Sequence, residues 1–143
     1  MEINNYVLSL AALTGWREER SNGINGILAV MFVLKNRVNA GWNGKDLFSV
    51  ITAPNQFDSI VRVGDSQTVL YPHPTDQLFV KACQYADGIF DGTTADNLTQ
   101  GALYYADTSS AGYNKTGWFQ RNIVENPVAH PRTTQIGTTL YFR

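Results

Sequence analysis

The most constraining feature of the sequence is a run between residues 24 and 40 in which hydrophobic side chains occupy nearly every side of a predicted helix. Such a helix has no face for water, so it is expected at the centre of a fold with other elements packed around it. The run follows the break Ser21-Asn22-Gly23. Its apolar members are Ile24, Ile27, Leu28, Val30, Met31, Phe32, Val33, Leu34 and Val38.

Two amphipathic helices are predicted to cover this central one. The first begins at a cap on Asn4 or Asn5 and ends near Arg20, with Val7, Leu10, Ala11 and Thr14 on one stripe. The other spans about residues 75–90 and ends at Asp91-Gly92, and Asp46 is predicted to cap a short helix between them.

The last third changes to short runs of β-forming residues separated by Gly, Asn, Ser and Pro. These runs cover residues 102–106, 118–119, 123–124 and 138–142. The chain has the length of one ordinary domain, 143 residues, and it contains no linker or repeat. The prediction is an α+β fold, mainly helical, in a single domain over residues 1–143, with a small antiparallel β element in the C-terminal third.

Charge and targeting signals exclude several partners. There are 11 Lys and Arg against 12 Asp and Glu, so the basic surface of a nucleic-acid-binding or anionic-membrane-binding protein is absent. The first residues show no basic segment followed by a long apolar run, so neither a signal peptide nor a membrane span is expected. We expect a monomer.

Metal, cofactor and cysteine chemistry find no support. Cys83 lies on the third long helix among small apolar residues, which predicts core packing. His73 and His130 stand in loops without partners at metal-ligand spacing, so both are interpreted as structural or solvated. Phosphate-binding and dinucleotide-binding motifs are absent. No metal and no cofactor are predicted.

Glu18 is the strongest candidate for chemistry. Only four glutamates are present, and Glu18 projects close to the middle of the apolar stripe of the first helix. Burial disfavours the ionised form of a carboxyl group and raises its pKa, which suits a general acid near neutral pH. The alternative is an ordinary salt bridge at the helix end. Its partner would be Arg17, Arg20 or Arg37.

Other polar residues are weaker candidates. Glu19 points toward the wetter side of the helix and is interpreted as solvated. Asp58 follows Asn55-Gln56-Phe57, a group of amides and an aromatic after Pro54 that is typical of a rigid loop beside a site. Aromatic rings near helix ends and turns offer stacking surfaces for sugars, although most of them individually fit ordinary packing. They are Trp16, Trp42, Trp118, Tyr71, Tyr104, Tyr105, Tyr113 and Tyr141.

The order and spacing of several short motifs resemble those of the SleB-like cell-wall hydrolases, the spore-cortex lytic enzymes and their bacterial and phage relatives. The resemblance rests on Glu18, Gly26, Ala29-Val30, Asn36-Arg37-Val38, Val50 to Phe57, Gly101-Ala102-Leu103-Tyr104-Tyr105, Trp118 and Ile136-Gly137. It covers the chain from about residue 8 to the C-terminus. Two positions depart from the family pattern: Asn22 stands where many members have a second acid, and Thr139 where they have a histidine.

The resemblance implies a lysozyme-like fold and cleavage of the β-1,4 bond between N-acetylmuramic acid and N-acetylglucosamine in the glycan strands of peptidoglycan. It implies a lytic transglycosylase with Glu18 as general acid and then base, leaving 1,6-anhydro ends. Gln56 and Tyr105 would orient the N-acetyl group and stabilise the charge at C1. Tyr104 is the alternative to Tyr105, because neighbouring strand residues face opposite ways, and Asn55 would bind substrate.

Alternatives remain open at this stage. A muramidase that uses water would need Asp58 or Glu19 as a second carboxylate about 5 to 9 Å from the first. A wall-binding or virion structural protein could keep the shape without turnover. A compact domain of this kind, lacking a signal, is expected of a phage endolysin that stays in the host cytoplasm until it is released to the wall, or of a virion-associated lysin.

Overall fold

A computed structural model describes residues 4–143, so the first three residues of the predicted domain, Glu2 among them, lie outside the described residues. The helices are α1 (Asn5–Glu19), α2 (Gly23–Asn39), α3 (Leu47–Thr52), α4 (Asp58–Val61) and α5 (Gln77–Asp91). The strands are β1 (Tyr104–Ala106), β2 (Arg132–Ile136) and β3 (Thr139–Phe142). Short 3₁₀ turns span Arg20–Asn22 and Trp42–Gly44, and a π-helical turn spans Gln120–Val124.

Helix α2 is the centre of the fold, as its sequence predicts. Its residues Ile27, Met31 and Leu34 are fully buried in a cluster shared with α1, α3 and α5. Its opposite side packs against the sheet region, where Ala29 and Val33 contact Ala102 and Tyr141. Helices on one side and strands on the other therefore account for a helix that is apolar all round.

The helix ends follow local signals. The side chain of Asn4 accepts a hydrogen bond from the Val7 amide at 3.1 Å and caps α1, and Asp46 caps α3 in the same way. The last long helix begins at Gln77 rather than at residue 75, because Asp76 is its cap. Gly92 ends it with a φ of +86°, in the left-handed region that favours glycine.

The sheet is antiparallel, with the strand order β1-β3-β2. Tyr105 of β1 is paired with Tyr141 of β3, and their rings stack with centroids 5.7 Å apart. A mainly helical fold with a small antiparallel sheet in the C-terminal third confirms the predicted α+β class.

Two predictions about local structure are wrong. The runs Trp118-Phe119 and Ile123-Val124 are helical, not extended. A helical turn lets the buried Ile123 reach the interior, and β-propensity is easily overridden by packing of this kind. The strand that the sequence did not predict is β2, the polar segment Arg132–Ile136. It lies at the edge of the sheet and lacks a strong hydrophobic pattern.

The prediction that Cys83 packs in the core is also wrong, because the thiol side chain is exposed. Helix α5 buries Ala82, Ala86, Ile89 and Phe90, which share one face. Cys83 lies one residue, or about 100°, beyond that face.

Within the described residues, no helix combines the length and the hydropathy needed to cross a membrane.

Candidate active site

Glu18 lies at the end of α1, where its carboxylate is held by two hydroxyl groups. Ser59 Oγ donates to Oε1 at 2.5 Å, and the Tyr105 hydroxyl donates to Oε2 at 3.0 Å. Ser59 belongs to α4 and Tyr105 to β1. The carboxyl group therefore sits where α1, α4 and the sheet meet, with its orientation set from two sides.

Burial raises the pKa of the Glu18 carboxyl above its usual value of 4.5. The hydrogen bonds from Ser59 and Tyr105 oppose this increase, while the nearby carboxylates of Asp65 and Asp58 add to it. Desolvation is the largest cause, so the protonated form is favoured relative to a carboxyl in water. The sequence predicted a buried Glu18 with a raised pKa, and the structure agrees.

The alternative of a helix-end salt bridge is wrong, since the only ion pair within residues 4–143 joins Arg62 and Asp58. Arg17 instead donates to the carbonyl oxygens of Leu70, Ser59 and Thr68. Arg20 donates to carbonyl oxygens at the end of α1, and Arg37 donates to Leu103 O. Backbone carbonyls hold the three guanidinium groups that the sequence offered as partners.

Two cavities meet at Glu18. We name them the charged arm, of about 790 Å³, and the aromatic arm, of about 480 Å³. Glu18, Asn55 and Gln56 line both. The charged arm is also lined by Arg17, Arg20, Asp58, Asp65 and Asp76, and the aromatic arm by Arg37, Trp42, Tyr104, Tyr105, Trp118 and Phe119. The acid thus lies part-way along an open groove, a suitable position for cleaving inside a polymer.

The structure brings the residues expected from the sequence to this groove. Asn55 and Gln56 are exposed at the junction of the arms, on the loop after Pro54. Tyr104 and Tyr105 both line the aromatic arm, although strand neighbours usually face opposite ways. Of the two, Tyr105 is the tyrosine whose hydroxyl reaches Glu18. Their roles toward substrate stay predictions.

Sequence reasoning missed Ser59, and it named Arg37 only as a possible salt-bridge partner and as part of a motif, not as a residue of the groove. Ser59 lies 41 residues from Glu18 in an irregular stretch, and a lone serine there carries no recognisable signal. Arg37 is 6% exposed and stacks over the rings of Trp42 and Phe57, at 4.8 and 5.2 Å from their centroids. Its Nη1 is buried without a hydrogen-bond partner within residues 4–143. The Asn-Arg-Val motif was the available signal for Arg37.

The interpretation of Glu19 as solvated is wrong. Its side chain is 7% exposed and accepts hydrogen bonds from Asn22 and Thr139. The start of β3 covers this side of α1, so a position that helical periodicity assigns to water is buried by a segment 120 residues away. Asn22 and Thr139, the two departures from the family pattern, therefore both contact Glu19.

Asp58 lines the charged arm with Glu18, and its Oδ2 pairs with Arg62 Nη1 at 3.3 Å. No three His, Cys, Asp or Glu side chains in the described part of the chain are grouped so that they could hold a metal ion. Glu18 shares the charged arm with three other carboxylates, those of Asp58, Asp65 and Asp76.

The raised pKa of Glu18 predicts how stability depends on pH. The folded protein binds this proton more tightly than the unfolded chain does, so stability falls as pH rises from 4.5 through the raised pKa. Glu18→Gln, which cannot ionise, should therefore gain Tm relative to wild type at pH 7 but not at pH 4. Thermal unfolding at both pH values measures this.

Glu125→Gln is the matched control, because Glu125 is exposed and should give the same Tm difference at both pH values. A Glu18→Gln protein whose Tm difference from wild type is equal at pH 4 and pH 7 contradicts the raised pKa.

Comparison with known proteins identifies the relatives of the chain. The family of cell wall hydrolases matches residues 21–142, a segment that begins three residues after Glu18. The catalytic domain of the germination-specific lytic transglycosylase SleB from Bacillus anthracis superimposes with a TM-score of 0.68, at 23% identity, over 99% of this chain and 97% of that one. At this identity the likeness establishes a shared fold.

No curated protein matches the chain by sequence. The resemblance carried by the motifs is nevertheless confirmed, because the family match spans most of the chain and the shared fold extends over nearly all of it. The protein belongs to the cell wall hydrolase family.

Proposed function

We propose that this protein is a peptidoglycan lytic transglycosylase that cleaves the β-1,4 bond between N-acetylmuramic acid and N-acetylglucosamine. The observation that carries the proposal is the setting of Glu18: a desolvated acid, held by Ser59 and Tyr105, at the junction of two arms of an open groove. Membership of the cell wall hydrolase family supports the substrate class. A glycan strand would lie along both arms.

In the first step, protonated Glu18 gives its proton to the glycosidic oxygen. The bond between this oxygen and muramoyl C1 breaks, the leaving sugar departs as an alcohol, and positive charge develops at C1. The raised pKa keeps Glu18 protonated closer to neutral pH, which general-acid catalysis requires. The carboxylate that remains accepts the hydrogen bonds from Ser59 and Tyr105.

In the second step, the Glu18 carboxylate takes the proton of the muramoyl C6 hydroxyl while O6 bonds to C1. This closes a 1,6-anhydro ring, restores protonated Glu18 and consumes no water. One carboxyl group serves twice, so the reaction needs no second carboxylate at the spacing that hydrolytic glycosidases use. Glu19 is poorly placed for such a role, because its oxygens are engaged by Asn22 and Thr139.

Residues around the junction would orient the sugars. Gln56 and Asn55 present amide groups to both arms and suit hydrogen bonds with N-acetyl and hydroxyl groups. The Tyr105 hydroxyl, fixed on Glu18, would lie close to the charge at C1. Tyr104 stands edge-on to Trp42 in the aromatic arm and would contact a sugar ring rather than the reacting atoms.

Trp118 offers the most exposed ring of the aromatic arm, at 60% exposure. Sugars present apolar C–H faces that pack on such rings. Trp118→Ala should therefore raise KM for glycan strands roughly tenfold, equivalent to about 1.4 kcal/mol of binding, with a smaller change in kcat. Initial rates measured over a range of purified glycan-strand concentrations give both parameters.

The matched control is Tyr85→Ala, an exposed aromatic of α5 that lines neither arm. This variant should keep the wild-type KM. Equal KM values for Trp118→Ala and wild type would remove the aromatic arm from the binding site.

A water-using muramidase is the second candidate, favoured by the presence of Asp58 in the same arm as Glu18. Asp58 would then activate water, and Asp58→Asn should abolish turnover. Under the transglycosylase proposal the same variant keeps the reaction, because no water is activated. A non-catalytic wall-binding protein is less suited to a groove that remains open around its acid.

Mass spectrometry of muropeptides from digested peptidoglycan tests the proposal. We expect muramoyl products 18 Da lighter than hydrolytic ones, as loss of one water in a 1,6-anhydro end requires. Reducing ends would establish the muramidase, and an undigested wall would refute both enzymes. The role in phage-type cell lysis stays a prediction.

A further inference from the structure

Glu19 is buried beside Glu18 and has no part in the two proton transfers proposed above. Its Oε2 accepts from Asn22 Nδ2 at 2.6 Å, and Thr139 Oγ1 donates to the carboxylate, at 3.0 and 3.1 Å from its two oxygens. Asn22 Nδ2 also donates to Thr139 Oγ1 at 3.2 Å. The three side chains form a closed set of hydrogen bonds, which we name the Glu19 triangle.

The surrounding backbone is shaped to admit this triangle. Gly137, in the turn between β2 and β3, has a φ of +58°, and a Cβ there would collide with Asn22 Oδ1. A Cβ on Gly26 would lie 2.8 Å from both the Asn22 Cβ and the Glu19 carbonyl oxygen. Asn22 is therefore packed between two glycines, and its close approach to Glu19 depends on both lacking side chains.

The hydrogen bonds of the Glu19 triangle and its burial act in opposite directions on the Glu19 carboxyl. The Asn22 amide and the Thr139 hydroxyl both donate to the carboxyl oxygens and lower the pKa, but desolvation by burial is the larger cause and raises the Glu19 pKa above its usual value of 4.5. No cation pairs with it within residues 4–143, where the single ion pair is Arg62 with Asp58. Keeping a buried acid without a cation is costly, so a role beyond packing is expected.

The triangle connects to Glu18 through the sheet. Thr139 begins β3, whose Tyr141 is paired and stacked with Tyr105 of β1, and the Tyr105 hydroxyl bonds to Glu18. Two successive residues of α1 are thus tied to the same sheet, Glu18 through Tyr105 and Glu19 through Thr139. A shift of Thr139 relative to Glu19 would therefore also shift Tyr105 relative to Glu18.

We propose that Glu19 is a positioning residue: the Glu19 triangle fixes the end of α1 against β3, so that the Glu18 carboxyl meets Tyr105 and faces the junction of the groove. This inference rests on the proposed function. It assigns Glu19 no contact with substrate, since Glu19 lines neither arm.

The two neighbouring acids also act on each other electrostatically. The charged and titratable groups facing this pair are Asp58 of α4, Asp65 after it, Arg37 of α2, Tyr105 of β1, Asp107 after β1 and Tyr141 of β3. The carboxylates of Asp65 and Asp58 raise the pKa of Glu18, and the charge of Glu18 is one of the causes that raise the pKa of Glu19. The hydrogen bonds from Asn22 and Thr139 therefore hold Glu19 in place against both burial and a neighbouring charge.

Variants of Thr139 test this inference in the full chain. Thr139→Val removes the tie to β3, so kcat should fall about tenfold with KM changed less than about twofold. Thr139→Ser, which keeps the hydroxyl, should restore kcat. Glu125→Gln, on the exposed surface, should leave kcat unchanged.

Equal kcat in Thr139→Val and Thr139→Ser overturns the inference. Thr139→Ala replaces Thr139→Val if the latter does not fold. A ¹³C NMR titration of the Glu18 carboxyl in the same variants requires no activity. The hydrogen bond from Tyr105 lowers the pKa of Glu18, so a higher Glu18 pKa in Thr139→Val than in Thr139→Ser supports the inference even if the wall is not digested, and an equal pKa overturns it. Failure of the proposed function is seen separately, in wild-type product analysis.

Discussion

Glu18→Gln should reduce kcat on peptidoglycan by about 10²- to 10⁴-fold while the protein remains folded. Glutamine has nearly the shape of glutamate, and its amide oxygen can accept from one of the Ser59 and Tyr105 hydroxyls while its NH2 group donates to the other. It has no acidic proton to give to the glycosidic oxygen. The size of the expected loss is the range in which positioned acids and bases contribute to enzyme rates. Turbidity loss of a purified wall suspension, with muropeptide quantification, measures it.

The control is again Glu125→Gln, which makes the same chemical change at an exposed glutamate and should keep the wild-type rate. Circular dichroism and Tm establish that both variants are folded. Full lytic activity in folded Glu18→Gln contradicts the assignment of Glu18, and a wild type without activity contradicts the proposed function itself.

Leu34→Ala should strongly lower the stability of the fold. Leu34 is fully buried on α2, the helix around which both the helical layer and the sheet are packed. Truncating its side chain loses the free energy gained by burying the deleted methyl groups and leaves a cavity. Together these two effects lower the free energy of unfolding by about 2 to 5 kcal/mol. For a chain of this size, Tm should fall by roughly 5 to 20 °C, measured by calorimetry or circular dichroism.

Val63→Ala is the comparison for this effect, because Val63 is 98% exposed and its truncation removes almost no buried surface. We expect its Tm to match wild type within about 2 °C. A Leu34→Ala protein as stable as Val63→Ala would mean that α2 is not the centre of the core.

The helices were predictable because their signals are local. Caps at Asn4 and Asp46, and a glycine stop at Gly92, act within a few residues of the helix end. The β segments were less predictable. Arg132–Ile136 is extended because it pairs with β3, and the segment around Ile123 is helical because the turn buries that side chain. Neither cause is visible in the segment itself.

Glu18 and Glu19 show the same limit within the site. Helical periodicity predicted a buried setting for Glu18, and burial does raise the pKa of its carboxyl, but the same periodicity assigned the neighbouring Glu19 to water. The polar side of a helix is exposed to solvent only where no other element packs against it. Here β3 covers that side of α1, through Thr139, which lies 120 residues after Glu19. The error arose because periodicity describes one helix in isolation.

By itself, the sequence determined the central helix, the fold class, the family and the candidate acid, since each depends on residue type and short-range spacing. Only the tertiary structure decided which groups surround that acid. Ser59, Tyr105 and Thr139 come from separate parts of the chain, and folding alone brings them to the end of α1. Burial and hydrogen bonding depend on distances in space, and spacing along the chain does not specify those distances.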